Sequence, residues 1–182
     1  MAILIAQRIR QLLTKESGLG EETFACLYQQ QLDSVFNYVR YRLGPDEAED
    51  VTADIFTRVW SRRHQYNARK GAPATWLWAI ARNVVTDQLR RRQWVQIGLS
   101  EELAGSDDPS AEVARKEEWR RLQMAMDRLP AVDQEIIALR FGAGHTNRSI
   151  AGTIGLSEAN VAQRLRRGLR KMRTYLQGVD KI

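Results

Sequence analysis

Ser149–Arg173, SIAGTIGLSEANVAQRLRRGLRKMR, carries the pattern that decides the fold. Ile150-Ala151, then Gly155, then Val161 is the spacing of a helix-turn-helix. Ala151 must be small where two helices touch, and Gly155 accommodates the turn. Ile150, Ile154, Leu156, Val161 and Leu165 close a small core, because apolar residues three and four apart share one helix face. Ser157 suits the N-cap of the second helix. That helix carries Arg164, Arg166, Arg167, Arg170, Lys171 and Arg173, with no acid after Glu158 to balance them. The second helix of such a unit enters the major groove with its N-terminal residues on base edges. Here those are Ser157, Glu158, Ala159, Asn160, Ala162 and Gln163. Asn160 and Gln163 suit adenine, and Arg164 suits guanine or phosphate. The cations behind them suit the DNA backbone.

Upstream, Pro73–Arg92 reads PATWLWAIARNVVTDQLRRR. Pro73 suits a first helical position, where its missing N–H would be unpaired anyway. Trp76, Leu77, Ile80, Ala81, Val84 and Leu89 form one apolar stripe, with Trp76 expected in the core and Trp78 open to a stacking role. Arg82, Asn83 and Asp87 fall largely outside it, and Arg90, Arg91 and Arg92 follow as three fixed charges. An amide beside cations on a rigid helix suits base reading and phosphate holding.

The remaining periodicity is also helical, so the expected fold class is all-α: two small helical domains joined by an acidic flexible linker, the second a helix-turn-helix domain. Phe24, Leu27, Tyr28, Leu32, Val35, Phe36, Val39 and Leu43 predict a helix over about 22–43, ended by Gly44. Pro45 is expected to start the next helix at once, with Asp46, Glu47, Glu49 and Asp50 at its positive end. Val51, Ile55, Phe56, Val59 and Trp60 continue it. A polar loop, 66–71, precedes Pro73. Between Ile97 and Glu118 seven acids face two bases, a net charge of −5, among Gly, Ser and Pro. Helix resumes near Ala111. Leu122, Met126 and Leu129 mark a helix stopped before Pro130, and Ile136, Ile137, Leu139 and Phe141 mark another. The expected division is an N-terminal extension over 1–21, a first domain over 22–95, a linker over 96–115 and a second domain over 116–178. Ile5, Ile9, Leu12 and Leu13 predict a short amphipathic helix within the extension.

Composition narrows the function classes. The chain has 182 residues, a formal net charge of +6 and a single cysteine, Cys26. A lone cysteine forms no internal disulfide and fits a reducing cytoplasm; in its apolar pattern Cys26 reads as a small core residue. His64 and His145 have no metal-ligand spacing around them. No apolar run approaches the ~20 residues of a membrane span, so no membrane insertion is expected. No nucleophile–base pair or phosphate-binding glycine loop is present. The expectation is a binding protein with no cofactor, no small-molecule substrate and no enzymatic activity.

Four groups of residues carry a family resemblance. W-L-x-x-I-A-R-N at 76–83, followed by Asp87 and Arg90-Arg91-Arg92, resembles the promoter-melting helix of bacterial sigma factors, most closely the extracytoplasmic-function (ECF) branch. Glu47-Ala48-Glu49-Asp50-Val51 with Phe56 and Trp60 resembles the helix with which that family docks on the β′ clamp helices of RNA polymerase. Leu129-Pro130 and Leu139-Arg140-Phe141 resemble the helix before its DNA-reading motif, and Val161-x-x-Arg164-Leu165 with Arg167 resembles its −35 helix. The resemblance spans about Phe24 to Leu176.

It implies a promoter-specificity subunit with several partners: core RNA polymerase, through the β′ clamp helices and the β flap; promoter DNA, double- and single-stranded; and an anti-sigma factor. The resemblance implies core docking by Glu47, Glu49, Asp50, Asp54, Phe56 and Trp60. It implies −10 contact by Asn67, Arg69, Lys70, Arg82, Asn83, Asp87, Arg90 and Arg91. It implies −35 contact by Ser157, Glu158, Asn160, Gln163, Arg164, Arg166, Arg167, Arg170 and Lys171. Ala53, Gln134, Ser149, Ala162 and Gly168 depart from common family residues. Two other classes stand beside this one: a stand-alone helix-turn-helix regulator, and a sigma mimic that sequesters an anti-sigma factor.

Overall fold

The computed structural model describes residues 18–98 and 111–179, with side chains over 18–92 and 117–178. The expected N-terminal amphipathic helix and the acids Glu101, Glu102, Asp107, Asp108 and Glu112 lie outside the residues or side chains described. Among the described residues seven α-helices run in order: α1 Glu21–Leu43, α2 Ala48–Ser61, α3 Pro73–Gly98, α4 Ala111–Asp127, α5 Ala131–Ile137, α6 Asn147–Ile154 and α7 Glu158–Val179. A 3₁₀ turn follows α2 at Arg63–Gln65, and a π-helical turn follows α5 at Ala138–Gly142. No strand occurs among the described residues.

The first three helices form one packed group. Gly44 ends α1 with φ of +94°, a conformation that glycine adopts at no steric cost. Pro45 then opens a turn rather than a helix, and α2 begins only at Ala48. Ile55, Phe56 and Val59 of α2 meet Val35, Tyr38 and Val39 of α1 and Leu77, Ala81 and Val85 of α3, all buried. Cys26 falls on the outer face of α1 and is exposed, not in the core.

Of the α3 tryptophans with described side chains, Trp78, left open by the sequence, is fully in the core, and Trp76, expected there, packs against it only half-buried. Trp78 is buried and donates from Nε1 to Gln31 (3.1 Å). Trp76 is half-buried beside the Tyr66 ring. The wide apolar stripe of α3 leaves either ring sterically admissible on the core side. The polar partner on α1 and the edge-on Tyr38 ring (5.4 Å) hold Trp78 there, as a buried indole N–H requires an acceptor.

In the second group the helix-turn-helix forms as its spacing predicts. Thr146 caps α6 by accepting from the Ser149 N–H, and Ser157 caps α7 by accepting from the Asn160 N–H. Gly155 lies between them in the left-handed region with φ of +72°, and a Cβ there would meet nothing within 4 Å. Gly155→Ala is therefore expected to cost only the left-handed strain, about 1–2 kcal/mol, measured as a shift in the urea midpoint. Gly168 is buried, and a Cβ on it would stand 3.2 Å from Ile137 Cδ1. The departure from the family's usual residue lets α7 lie close on α5. Phe141 was expected on an apolar face but is 50 % exposed, because the π-helical turn rotates it away from Leu139.

The two groups share a core. Ile136, Ala138, Leu139, Ile150 and Val161 belong to the same buried cluster as Val35, Tyr38 and Leu77. Gly142 sits on the α1 backbone, where a Cβ would come within 2.9 Å of the Asn37 carbonyl oxygen. His145 places its ring 4.4 Å from that of Trp78, and burial lowers the His145 pKa from its ordinary value.

Candidate nucleic-acid interface

Three surfaces hold the residues singled out in the sequence. On α7, Ser157, Glu158, Gln163, Arg166, Arg167, Arg170 and Lys171 are exposed. Arg166, Arg170 and Lys171 point to solvent, while Arg167 reaches to within 4.0 Å of Asp133 of α5; Val161, Gly168 and Met172 turn inward. Glu158 faces Arg148 of α6 at 3.6 Å, both largely solvated. Such a surface pair contributes little.

Asn160 and Arg164 behave differently. Arg164 donates from Nε to Asn160 Oδ1 (3.0 Å) and from Nη1 to Asp133 Oδ1 (2.8 Å). The Asp133 side chain is 1 % exposed. Arg164 thus neutralises a buried carboxylate of α5 besides edging the exposed basic face of α7, and the Asn160 oxygen is already occupied. Removing one partner of a buried pair leaves the other charge desolvated and uncompensated. Arg164→Ala is therefore expected to destabilise the fold by about 3 kcal/mol. Urea unfolding checks this, and an unchanged midpoint would contradict it.

The second surface joins α2 and α3. A polar groove of about 270 Å³ is lined by Arg58, Arg62, Ile80, Asn83, Val84, Thr86, Asp87 and Arg90. Asn83, Asp87, Arg90 and Arg91 are exposed as expected. Arg58 and Arg62 were not singled out in the sequence, although they lie one turn apart at the end of α2. Arg58 donates from Nε to Asp54 (2.9 Å), and that hydrogen bond raises the Arg58 pKa further. An amide beside three guanidiniums and one carboxylate suits an unpaired base and its phosphates.

Arg82 does not face this groove. Its Nε donates to Glu135 Oε1 (2.9 Å) and its Nη1 to the Thr153 carbonyl (2.6 Å), both in the second group of helices. The loop before α3 is a built turn. Asn67 Oδ1 accepts from the Arg69 N–H (2.9 Å), the Asn67 carbonyl accepts from the Lys70 N–H (2.9 Å), and Tyr66 donates from its hydroxyl to the Gly71 carbonyl (2.9 Å). Burial raises the Tyr66 pKa. Asn67, Arg69 and Lys70 are exposed, but part of the Asn67 amide is spent on the turn.

The third surface is the acidic start of α2. Glu49 and Asp50 are exposed, with Ala53 and Thr57 following on the same side of the helix. Asp54 is half-buried and paired with Arg58. Glu47 is tied back to α3 by Arg92 (2.6 Å) and Gln88 (3.2 Å). Phe56 is 4 % exposed, edge-on to Tyr28 at 4.7 Å, and so lies beneath this face. Trp60 is half-buried between the Phe24 ring (4.9 Å) and the Arg63 guanidinium (4.0 Å).

An acidic helix, a cationic groove with an exposed amide and an unbalanced basic helix on a helix-turn-helix define a class: an all-helical nucleic-acid-binding protein built in two parts. Residues 27–95 match Sigma-70 region 2, and residues 119–172 match Sigma-70, region 4. Similar proteins include the ECF RNA polymerase sigma factor SigK of Mycolicibacterium vanbaalenii, 27 % identical over 95 % of this chain and 91 % of that one. Among solved structures, CnrH in complex with the cytosolic domain of CnrY shares the fold at a TM-score of 0.66 and 19 % identity, over 93 % of this chain and 94 % of that one. The sigma factor RpoE in complex with the anti-sigma factor NepR from Bartonella quintana does so at 0.62 and 20 %, over 85 % and 96 %. The chain belongs to the sigma-70 family, in its extracytoplasmic-function branch.

Proposed function

We propose that this sigma factor directs core RNA polymerase to specific promoters through the three surfaces in turn. The face of α2 carrying Glu49 and Asp50 docks on a basic surface of the polymerase, the β′ clamp helices. The basic face of α7 lies in the major groove of the −35 element, with Gln163 on a base edge and Arg166, Arg170 and Lys171 on phosphates. The groove around Asn83, with Arg58, Arg62 and Arg90, holds the displaced strand at the −10 element. The protein supplies binding energy and leaves the chemistry to the polymerase. The single observation that carries this reading is the order of the parts: a region 2 match followed by a region 4 match, with an exposed amide in a cationic groove on the first and a solvated basic helix on the second.

An anti-sigma factor is a further partner on this reading, supported by two solved relatives that are complexes with such factors or with a partner's cytosolic domain. Among the described residues no helix is long and apolar enough to cross a membrane. The test is a permanganate footprint on promoter fragments carrying the holoenzyme. The expected result is reactive, unpaired thymines at the −10 element that depend on this protein and weaken in Asn83→Ala. Protection of duplex DNA by the protein without core polymerase, with no unpaired thymine, would favour a stand-alone regulator instead.

A further inference from the structure

Glu135 is an acid of a seven-residue helix in the second group, yet its partners lie in the first. Tyr38 donates its hydroxyl to both carboxylate oxygens (2.9 and 3.1 Å). Arg82 donates to Oε1 at 2.9 Å, and Arg42 Nε lies 3.3 Å from Oε2. Tyr38 is fully buried, and the Glu135 side chain is 11 % exposed. Burial first, and then the Glu135 charge, raise the Tyr38 pKa well above its ordinary value, so the phenol stays a donor. A buried carboxylate shared by two guanidiniums and a phenol, all from the other domain, is a specific joint. Polar groups in such a site fix one arrangement.

The joint also has a consequence for DNA. Through Arg82 and the Thr153 carbonyl, the α3 helix is hydrogen-bonded to the first helix of the helix-turn-helix. On the promoter reading above, on which this inference rests, those two units serve elements about 25 base pairs apart. At 3.4 Å per pair that is roughly 85 Å of duplex. The arrangement joined at Glu135 therefore cannot engage both elements at once.

We infer that Glu135 is an interdomain clasp, which holds the free protein closed and itself stands in for a DNA phosphate at Arg82. The Arg82 guanidinium, suited in charge to a phosphate of the displaced strand, already has a carboxylate and a carbonyl as acceptors. Gly142 allows the closure sterically, since its backbone rests directly on Asn37 and Tyr38. Core polymerase and promoter DNA bind the open form, and their differential affinity shifts the population toward it.

The test uses the full chain with dyes on Cys26 and on Gln177→Cys, both exposed positions on opposite domains. Three forms are compared: wild type, Glu135→Gln, which removes the charge but keeps an acceptor for Tyr38, and Gly142→Ala, which adds only a methyl group against the α1 backbone. Energy transfer is read in the free protein, and affinity is read for a single-stranded −10 oligonucleotide. Both variants are expected to lose transfer, and Glu135→Gln to bind the oligonucleotide about tenfold more tightly, as a shift from a closed to an open population gives. Circular dichroism separates opening from unfolding, and Gly142→Ala opens the joint without touching its charges. Unchanged transfer and unchanged affinity in both folded variants would overturn the clasp. Holoenzyme transcription is measured alongside. If it is absent in wild type, the promoter reading fails, while energy transfer still decides the clasp.

Discussion

Replacing Arg166, Arg170 and Lys171 together with alanine is expected to lower holoenzyme affinity for its promoters by about three orders of magnitude or more near physiological salt, since hydrogen bonds to charged groups contribute about 1.5–3 kcal/mol each and about 1.4 kcal/mol is a factor of ten. All three are exposed on α7, and no ion pair to an acid of the second domain involves them among the described contacts. Their loss should therefore leave folding nearly intact, unlike Arg164→Ala. The salt dependence gives a second reading. Each phosphate contact contributes about 0.9 to the slope of log K against log salt, so the triple variant should flatten that slope by roughly 2.7. Filter binding between low and moderate salt measures both quantities. A fall in affinity with an unchanged slope would mean that these cations act through the fold and not through phosphates.

The second large effect is on stability. Leu77→Ala is expected to destabilise the protein by about 2–5 kcal/mol. Leu77 is fully buried in the cluster that joins α1, α2 and α3 and continues into the second domain. Truncation removes the transfer energy of the lost carbons and leaves a cavity that neighbouring helices fill only in part. Two residues on, Ala79 is exposed, and Ala79→Ser should shift stability by no more than about 0.5 kcal/mol. Urea midpoints read by far-UV circular dichroism compare the two. A loss below about 1 kcal/mol for Leu77→Ala would remove α3 from the centre of the core.

The contrast between those two positions shows what was legible in the sequence. Helical spacing assigned Leu77, Ile80, Ala81 and Val84 to one buried side, and the structure buries all four. The turn chemistry of Gly155 and Ser157 was also legible, because a left-handed glycine and a serine cap are local requirements. Choices that depend on a distant partner were not. Trp78 is held inward by Gln31, which lies 47 residues earlier. Glu135 meets Tyr38 from 97 residues away, and nothing in its own helix announces that contact.

The candidate site divides in the same way. Asn83 and the rear cations of α7 were readable as exposed, since their neighbours at helical spacing are apolar. Arg164, Arg82 and Glu47 looked equally available, but each is bound to a group from another element. Phe56 was read as part of a docking face and is instead buried beneath it. A charge in a one-dimensional pattern reveals its helix face. Its partner across the fold is fixed only by tertiary packing.

Run-off transcription with sigma-free core polymerase tests the central claim most directly. Purified protein is added to core with a pool of promoter fragments from its own genome, and transcripts are mapped at their 5′ ends. Initiation is expected from a small set of fragments sharing −10 and −35 sequences, lost in Asn83→Ala and in the α7 triple variant. Tight binding to core with no initiation from any fragment would contradict it.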